Sequence, residues 1–324
     1  MRELVVLGTA AQAPTRYRNH NGYFLRWDDE GILFDPGEGT QRQMLLAGVR
    51  SSSITRICIT HFHGDHSLGL PGVVQRLSLD EVDHAVSLYF PASGTPYVDR
   101  LLHASVFEER ISLHMRPVAE AGAVETGPPF ALEAARLDHP PETMGWRLEE
   151  PPGRTMLPDR LSEMGVHGPD VGRLLRERRL SVTGRPEPVR LEDVSVERPG
   201  QVVAFVMDTG LCDAAFALAE GADLLVCEAT FAEAEADLAR SFRHLTAAQA
   251  GRIAAESGAR RLVITHFSQR YPDARVLAEE AGAVFEDVVC AEDLLRVAVP
   301  PRRTSYDRLR QPGSSSCPAG VRPK

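Results

Sequence analysis

Lysine is almost missing from this chain of 324 residues: Lys324 is the only one, and every other basic residue is an arginine. The cationic surface is therefore made of planar guanidinium forks, which suit phosphate, rather than of ammonium points. A positive overall balance is missing as well. The formal net charge is −9, which excludes a general nucleic-acid coat protein but leaves room for a local basic face. No apolar run has the length needed to span a bilayer. Leu4-Val5-Val6-Leu7 followed by Ala11-Gln12-Ala13 imitates a short signal peptide, but the run is brief and Glu3 stands where basic residues are required. It reads as a strand, and the protein as cytoplasmic with no membrane partner. Paired cysteines are lacking too. Cys58, Cys212, Cys227, Cys290 and Cys317 are scattered, odd in number and free of any C-x-x-C spacing. That argues against a disulfide frame and a thiolate zinc site, and for reduced thiols in a core.

What is present is concentrated in Thr60-His61-Phe62-His63-Gly64-Asp65-His66-Ser67. Three imidazoles and a carboxylate follow the apolar run Ile57-Cys58-Ile59, which reads as a buried strand. A turn leaving that strand can aim His61 and His63 at one point. Asp65 and His66 then face a second point roughly 3.5–4 Å away, the separation of two-metal hydrolytic sites. Imidazole nitrogen and carboxylate oxygen suit zinc, and manganese or iron(II) fits the same donors. The plain alternative, a solvated histidine-rich loop, predicts no matching donors elsewhere.

Elsewhere strand and helix signals alternate, as in an α/β protein. Strands are expected at Leu4–Leu7, Tyr23–Trp27, Ile32–Phe34, Val86–Phe90, Ile111–Pro117, Phe130–Leu137, Val202–Met207, Leu224–Cys227 and Arg261–Thr265. Helices are expected from Gly39 to Leu46, from Thr95 to Val106 and over Ala247–Glu256, where Thr246 is the N-cap. Asp35, at a strand end, is expected to orient a metal-binding histidine. Residues 150–195 break the rhythm with Pro and Gly and two short helices, Pro158–Met164 and Val171–Arg179. From Arg154 to Arg190 eight arginines face five acids, a local basic excess in an acidic chain. The tail 300–324, rich in Pro, Arg, Ser and Gly, reads as disordered.

His-x-His-x-Asp-His after a strand resembles the metallo-β-lactamase superfamily signature. Phe34-Asp35-Pro36-Gly37-Glu38-Gly39-Thr40-Gln41, His139 with the trailing Gly145-Trp146-Arg147, Met207-Asp208-Thr209 and His266-Phe267-Ser268-Gln269-Arg270-Tyr271 are similar, in order, to the ribonuclease Z family. The resemblance implies a four-layer αββα sandwich over residues 1–299 with an inserted arm at 150–195. It implies a zinc-dependent endoribonuclease that removes the 3′ trailer from precursor tRNA, working as a homodimer. By the same resemblance His61, His63, His139 and Asp208 hold one zinc, and Asp65, His66, His266 and the shared Asp208 hold the second. Asp65 then accepts a proton, and His244 acts at the scissile phosphate. Arg18 and Asn19 in the loop after Pro14, and Arg173, Arg176, Arg178 and Arg179 in the arm, would hold the substrate.

The chain departs from that family's pattern at Arg16, Pro36, Gly210 and Leu245. Gly210 stands where the family carries arginine, and Leu245 where a small polar residue is commoner. A hydrolase of small phosphodiesters or aryl sulfate-type esters shares the metal donors and has no need of the arm. A binding module with a decayed site is a third reading, opposed by seven intact donors.

Overall fold

A computed structural model describes residues 2–302; the expected disordered tail and Cys317 fall largely outside the described residues. Residues 1–150 and 201–300 form one unit and residues 151–200 another.

The larger unit contains two seven-stranded sheets. The first runs Arg296–Ala298, Arg2–Gly8, Gly22–Trp27, Glu30–Phe34, Arg56–Cys58, Val86–Pro91, Leu113–Val118. The second runs Val288–Cys290, Leu262–Thr265, Leu224–Glu228, Val202–Val206, Thr143–Glu149, Ala131–Leu137, Gly122–Glu125. Side chains alternate across a strand, and the strand Arg2–Gly8 shows the result. Leu4 and Val6 enter the core between the sheets, while Val5 and Leu7 enter a second core under the helices Thr40–Ala47, Leu70–Leu79 and Thr95–Leu102. Burial on both faces explains why the strand reads as a continuous apolar run. Between the sheets Phe34 stacks on Phe205 at 4.5 Å, and Trp27 meets Phe130 edge-on at 5.7 Å. The helices Asp213–Ala219, Ala247–Glu256 and Arg275–Gly282 close the far side, contributing Ala215, Ile253 and Leu277. The layers are helix, sheet, sheet, helix.

Each sheet has a parallel half: Glu30–Phe34, Arg56–Cys58, Val86–Pro91 and Leu113–Val118 in one, Val202–Val206, Leu224–Glu228, Leu262–Thr265 and Val288–Cys290 in the other. Parallel strands end on the same side, so residues just past their carboxyl ends gather there. Asp35, His61, His63, Asp208 and His266 occupy such positions, and Glu228 is the last residue of its strand.

Two expectations change in detail, and one strand is added to those expected. The helix starting at Thr95 ends at Leu102 rather than Val106. Thr143–Glu149, which follows His139, is a strand in the middle of the second sheet. Asp65 and His66 lie on a one-turn helix, Gly64–Ser67, rather than on an open turn.

The smaller unit has its own core of Val166, Leu174, Leu180, Val189, Leu191 and Val194. Gly153–Met156 pairs with Ser195–Arg198, and Arg179–Leu180 with Val189–Arg190. Its helices are Pro158–Glu163 and Pro169–Glu177. The second begins earlier than expected because Pro169 fits the first helical turn. It stops at Arg178, whose φ of 61° is left-handed. Over 151–200 nine arginines face eight acids, so the basic excess of the inner stretch nearly cancels over the whole unit. Arg173, Arg176, Arg178 and Arg179 are all exposed. Two of them are paired, Arg173 with Glu177 at 3.1 Å and Arg178 with Glu192.

Candidate metal centre

The structure brings His61, His63, His139 and Asp208 into one group and Asp65, His66 and His266 into a second; within each, the facing ligand atoms lie inside 4.8 Å of one another. Asp208 turns one oxygen to each. Its Oδ2 is 3.5 Å from His61 Nε2 and 3.8 Å from His139 Nε2. Its Oδ1 is 3.3 Å from His66 Nε2 and 3.2 Å from His266 Nε2. Asp65 Oδ2 completes the second group at 3.4 Å from His66 Nε2 and 3.5 Å from His266 Nε2, and the two imidazole nitrogens are 3.3 Å apart.

Hydrogen-bond accounting gives these contacts their meaning. Thr60 Oγ1 donates to Asp35 Oδ2 and so accepts from His61 Nδ1 at 3.0 Å. Thr230 Oγ1 donates to Glu228 Oε2 and so accepts from His266 Nδ1 at 2.8 Å. His66 Nδ1 donates to Asp35 Oδ2 at 2.9 Å, and His139 Nδ1 to the Arg243 carbonyl at 2.9 Å. A neutral imidazole has one N–H. With it turned outward in all four rings, four Nε2 lone pairs converge on each other and on a carboxylate; Asn21 Nδ2 donates to that of His66 at 3.3 Å, and His63 Nδ1 lies 3.0 Å from that of His61. His139 Nε2 and Asp208 Oδ1 are buried without a hydrogen-bond partner. Four donors about 2.0–2.1 Å from a zinc ion stand roughly 3.3–3.4 Å apart in a tetrahedron. The second group matches that spacing, and the outward carboxylate, carbonyl and hydroxyl partners are those that orient metal-binding histidines. The residues present fit a pair of divalent cations.

Electrostatics divide the donors. Burial opposes the charged form of His66, yet the Asp208, Asp65 and Asp35 carboxylates outweigh it and hold this imidazole well above its usual range, while the imidazoles of the first group are shifted the other way. Burial and the neighbouring His66 push His61 well below the ordinary imidazole range, and burial lowers His63 and His139. Neutral imidazole is the form that binds metal. Burial disfavours the Asp208 anion, yet His266, His66 and His61 outweigh it and hold the carboxyl well below its usual range. Asp65 is held below its range in the same way, against burial, by His66 and His266. The left-handed φ of Asp208 (28°), His266 (60°) and Asp35 (43°) marks backbone held in costly conformations at the site.

His244 stands beside the cluster, its ring 4.9 Å from His139 and 5.4 Å from His266. Its Nδ1 meets Glu228 Oε1 at 3.0 Å. Burial opposes its charged form, but the Glu228 and Asp208 carboxylates prevail and its pKa is pushed up to about 9. Glu228 is a residue beside the cluster that the sequence pattern does not single out. It is fully buried, and also accepts from Thr209 N at 2.6 Å. A glutamate closing an apolar strand, Leu224-Leu225-Val226-Cys227-Glu228, was the available signal.

Arg18 and Asn19 are not brought into the cluster. Arg18 Nη1 donates to the Tyr271 carbonyl at 2.8 Å, and Asn19 Nδ2 to the Glu38 carbonyl at 2.9 Å. Their loop reaches the site through its backbone, where Gln12 N donates to Asp65 Oδ2 at 2.7 Å. Leu245, at one of the departures, is fully buried in the core between the sheets and the helices.

Comparison with known proteins places this geometry. The model of the metallo-β-lactamase superfamily matches residues 15–155, and that of the β-lactamase superfamily domain matches residues 183–267. Ribonuclease Z of Salinispora arenicola is 61% identical over 306 residues, covering 93% of this chain and 97% of the relative. That of Streptomyces avermitilis is 56% identical, covering 93% and 99%. Among solved structures, the short form of human tRNase Z superposes with a TM-score of 0.66 at 26% identity, covering 92% of this chain and 99% of that one.

Proposed function

This chain belongs to the ribonuclease Z family of the metallo-β-lactamase superfamily, hydrolytic endoribonucleases, and from that premise we propose that it removes the 3′ trailer from precursor tRNA with two zinc ions per chain. The observation that carries the reading is Asp208, whose two oxygens each face one of two converging donor groups. His61, His63 and His139 would hold one ion with Asp208 Oδ2. Asp65, His66 and His266 would hold the other with Oδ1. Such ions, when bound, polarise a phosphodiester and lower the pKa of water toward neutrality.

The chain's own residues supply the rest. Asp65 takes the proton of the attacking water through its carboxylate, which Gln12 N holds in orientation. His244, kept protonated by Glu228 at neutral pH, donates from Nε2 to charge developing on the phosphate or on the leaving ribose oxygen. The buried acceptors Thr60, Thr230 and Asp35, each taking an Nδ1 proton, lock the imidazoles so that no reorganisation accompanies the reaction. Arg173, Arg176, Arg178 and Arg179 of the smaller unit grip tRNA backbone away from the cut, with Arg18 and Asn19 shaping the loop beside Asp65. A cytoplasmic homodimer is the form we propose, consistent with free cysteines among the described residues and with no helix there long and apolar enough to cross a membrane.

Cleavage of a precursor tRNA, set against hydrolysis of bis(p-nitrophenyl) phosphate, tests the reading. Accurate removal of the trailer with far higher kcat/KM on the RNA is expected. Comparable kcat/KM on the two substrates would favour a small-phosphodiester hydrolase instead.

A further inference from the structure

Two loops at the mouth of the centre each carry an inner imidazole and an outer charge. Asp138 precedes His139, and Arg243 precedes His244. The inner rings face one another at 4.9 Å. The outer pair, Arg243 Nη1 to Asp138 Oδ1 at 3.0 Å, is half-exposed, with 53% and 49% of the two side chains accessible.

This outer pair is built into the site rather than draped over it. Arg243 is held at a left-handed φ of 54° and its carbonyl takes the Nδ1 proton of His139. The guanidinium is therefore carried by the residue whose carbonyl orients His139. Asp138 is fixed from the other side. Its backbone N accepts no freedom, donating to Thr209 Oγ1 at 3.1 Å, and its carbonyl receives Gly210 N at 2.9 Å. Its carboxylate lies over Gly210, where an added Cβ would stand 2.9 Å from Oδ2. The lack of a side chain at 210 makes the room that Asp138 occupies.

We propose that Arg243 binds a backbone phosphate next to the scissile one, and that Asp138 is the counter-ion this phosphate displaces. The proposal rests on the endoribonuclease reading above. An exposed ion pair is worth little in water, so exchanging Asp138 for phosphate costs little. A guanidinium–phosphate contact is charge-assisted and forked. Because the carbonyl of the same residue orients His139, a phosphate seated on the side chain is registered against the metal centre. The pair would thus set which phosphodiester along an RNA strand enters the site.

The structure assigns opposite roles to the two charges, and opposite signs are what the experiment reads. RNA binding to wild type, Arg243→Gln, Arg243→Lys and Asp138→Asn is measured with a phosphorothioate-blocked precursor over a range of salt, alongside cleavage of the unblocked RNA. Arg243→Gln should weaken binding about tenfold. It should also reduce the slope of log K against log salt by about 0.7–0.9, the contribution of one phosphate contact. Arg243→Lys keeps the charge and should recover most of the slope. Asp138→Asn removes the competitor and should tighten binding severalfold. If Arg243→Gln and Asp138→Asn both weaken binding, the pair is a structural brace and the proposal fails. Unchanged binding in Arg243→Gln also overturns it. A wild type that neither binds nor cuts precursor RNA would instead remove the endoribonuclease reading on which the proposal stands.

Discussion

Glu228 Oε1 and His244 Nδ1 are 3.0 Å apart, a carboxylate–imidazole pair in which the carboxylate is fully buried and the imidazole stands beside the His139 and His266 rings of the donor cluster. Glu228 is among the carboxylates that push the His244 pKa up to about 9, against the effect of burial. A raised histidine pKa means that the charged form persists through neutrality and is lost as pH rises through about 9. If His244 donates a proton, kcat should fall over that range. Glu228→Gln removes the charge that raises the pKa, so the fall should move to lower pH. A pH profile of kcat for the two proteins checks this, and an alkaline limb unmoved by the substitution would contradict it.

Asp35 joins the two halves of the histidine motif. Its carboxylate accepts from His66 Nδ1, Thr60 N and Thr60 Oγ1, and Thr60 in turn holds His61. Asp35→Asn keeps the shape and loses the charge. Metal affinity should drop about 10- to 100-fold, read by competition with a chelator, while the far-UV spectrum stays that of the folded chain.

Gly94 is a packing constraint on the same motif from the outside. A Cβ there would stand 1.9 Å from the ring of Phe62, which lies between His61 and His63. Gly94→Ala should cost about 1–3 kcal/mol of stability, read by urea unfolding, and should lower metal retention as the loop is pushed. A variant with unchanged stability and full metal content would show that the ring moves aside freely.

How legible all this was in the sequence varied with the kind of signal. The helix Ala247–Glu256 is legible from its N-cap Thr246; the structure adds that Gln249 returns the cap, its side chain accepting from Thr246 N. The strands buried on both faces were read from unbroken apolar runs. His61, His63, Asp65 and His66 stood out because four donors crowd into six residues. Glu228 did not, because one buried carboxylate at a strand end has no spacing to betray it; its meaning comes from His244 and Thr230, which only the fold brings near. Arg18, expected at the substrate, has its guanidinium against carbonyls of the 271–272 turn, a contact between distant segments that no spacing in the sequence shows. The charge count of 154–190 missed Glu192, Asp193 and Glu197, which lie just beyond it in sequence and inside the same compact unit.

The four arginines of the smaller unit therefore act, on this account, through exposure and geometry rather than through net charge. Changing Arg173, Arg176, Arg178 and Arg179 to Ala should weaken precursor tRNA binding. If two of them touch phosphate, the logarithmic salt slope should flatten by roughly 1.5–2. Hydrolysis of bis(p-nitrophenyl) phosphate, which has no nucleic-acid backbone beyond its one phosphodiester, should change far less. Equal losses on both substrates would mean that the cluster supports the fold.

The central claim is that Asp208 bridges two metal ions, and elemental analysis of the folded chain tests it most directly. Wild-type protein prepared without chelator should carry close to two transition-metal ions per chain. Asp208→Ala should lose metal from both groups together, and with it the cleavage of precursor tRNA, because each group loses one donor oxygen at once. A folded wild type that cleaves precursor tRNA with no bound metal, or an Asp208→Ala chain that keeps both ions, would contradict the account.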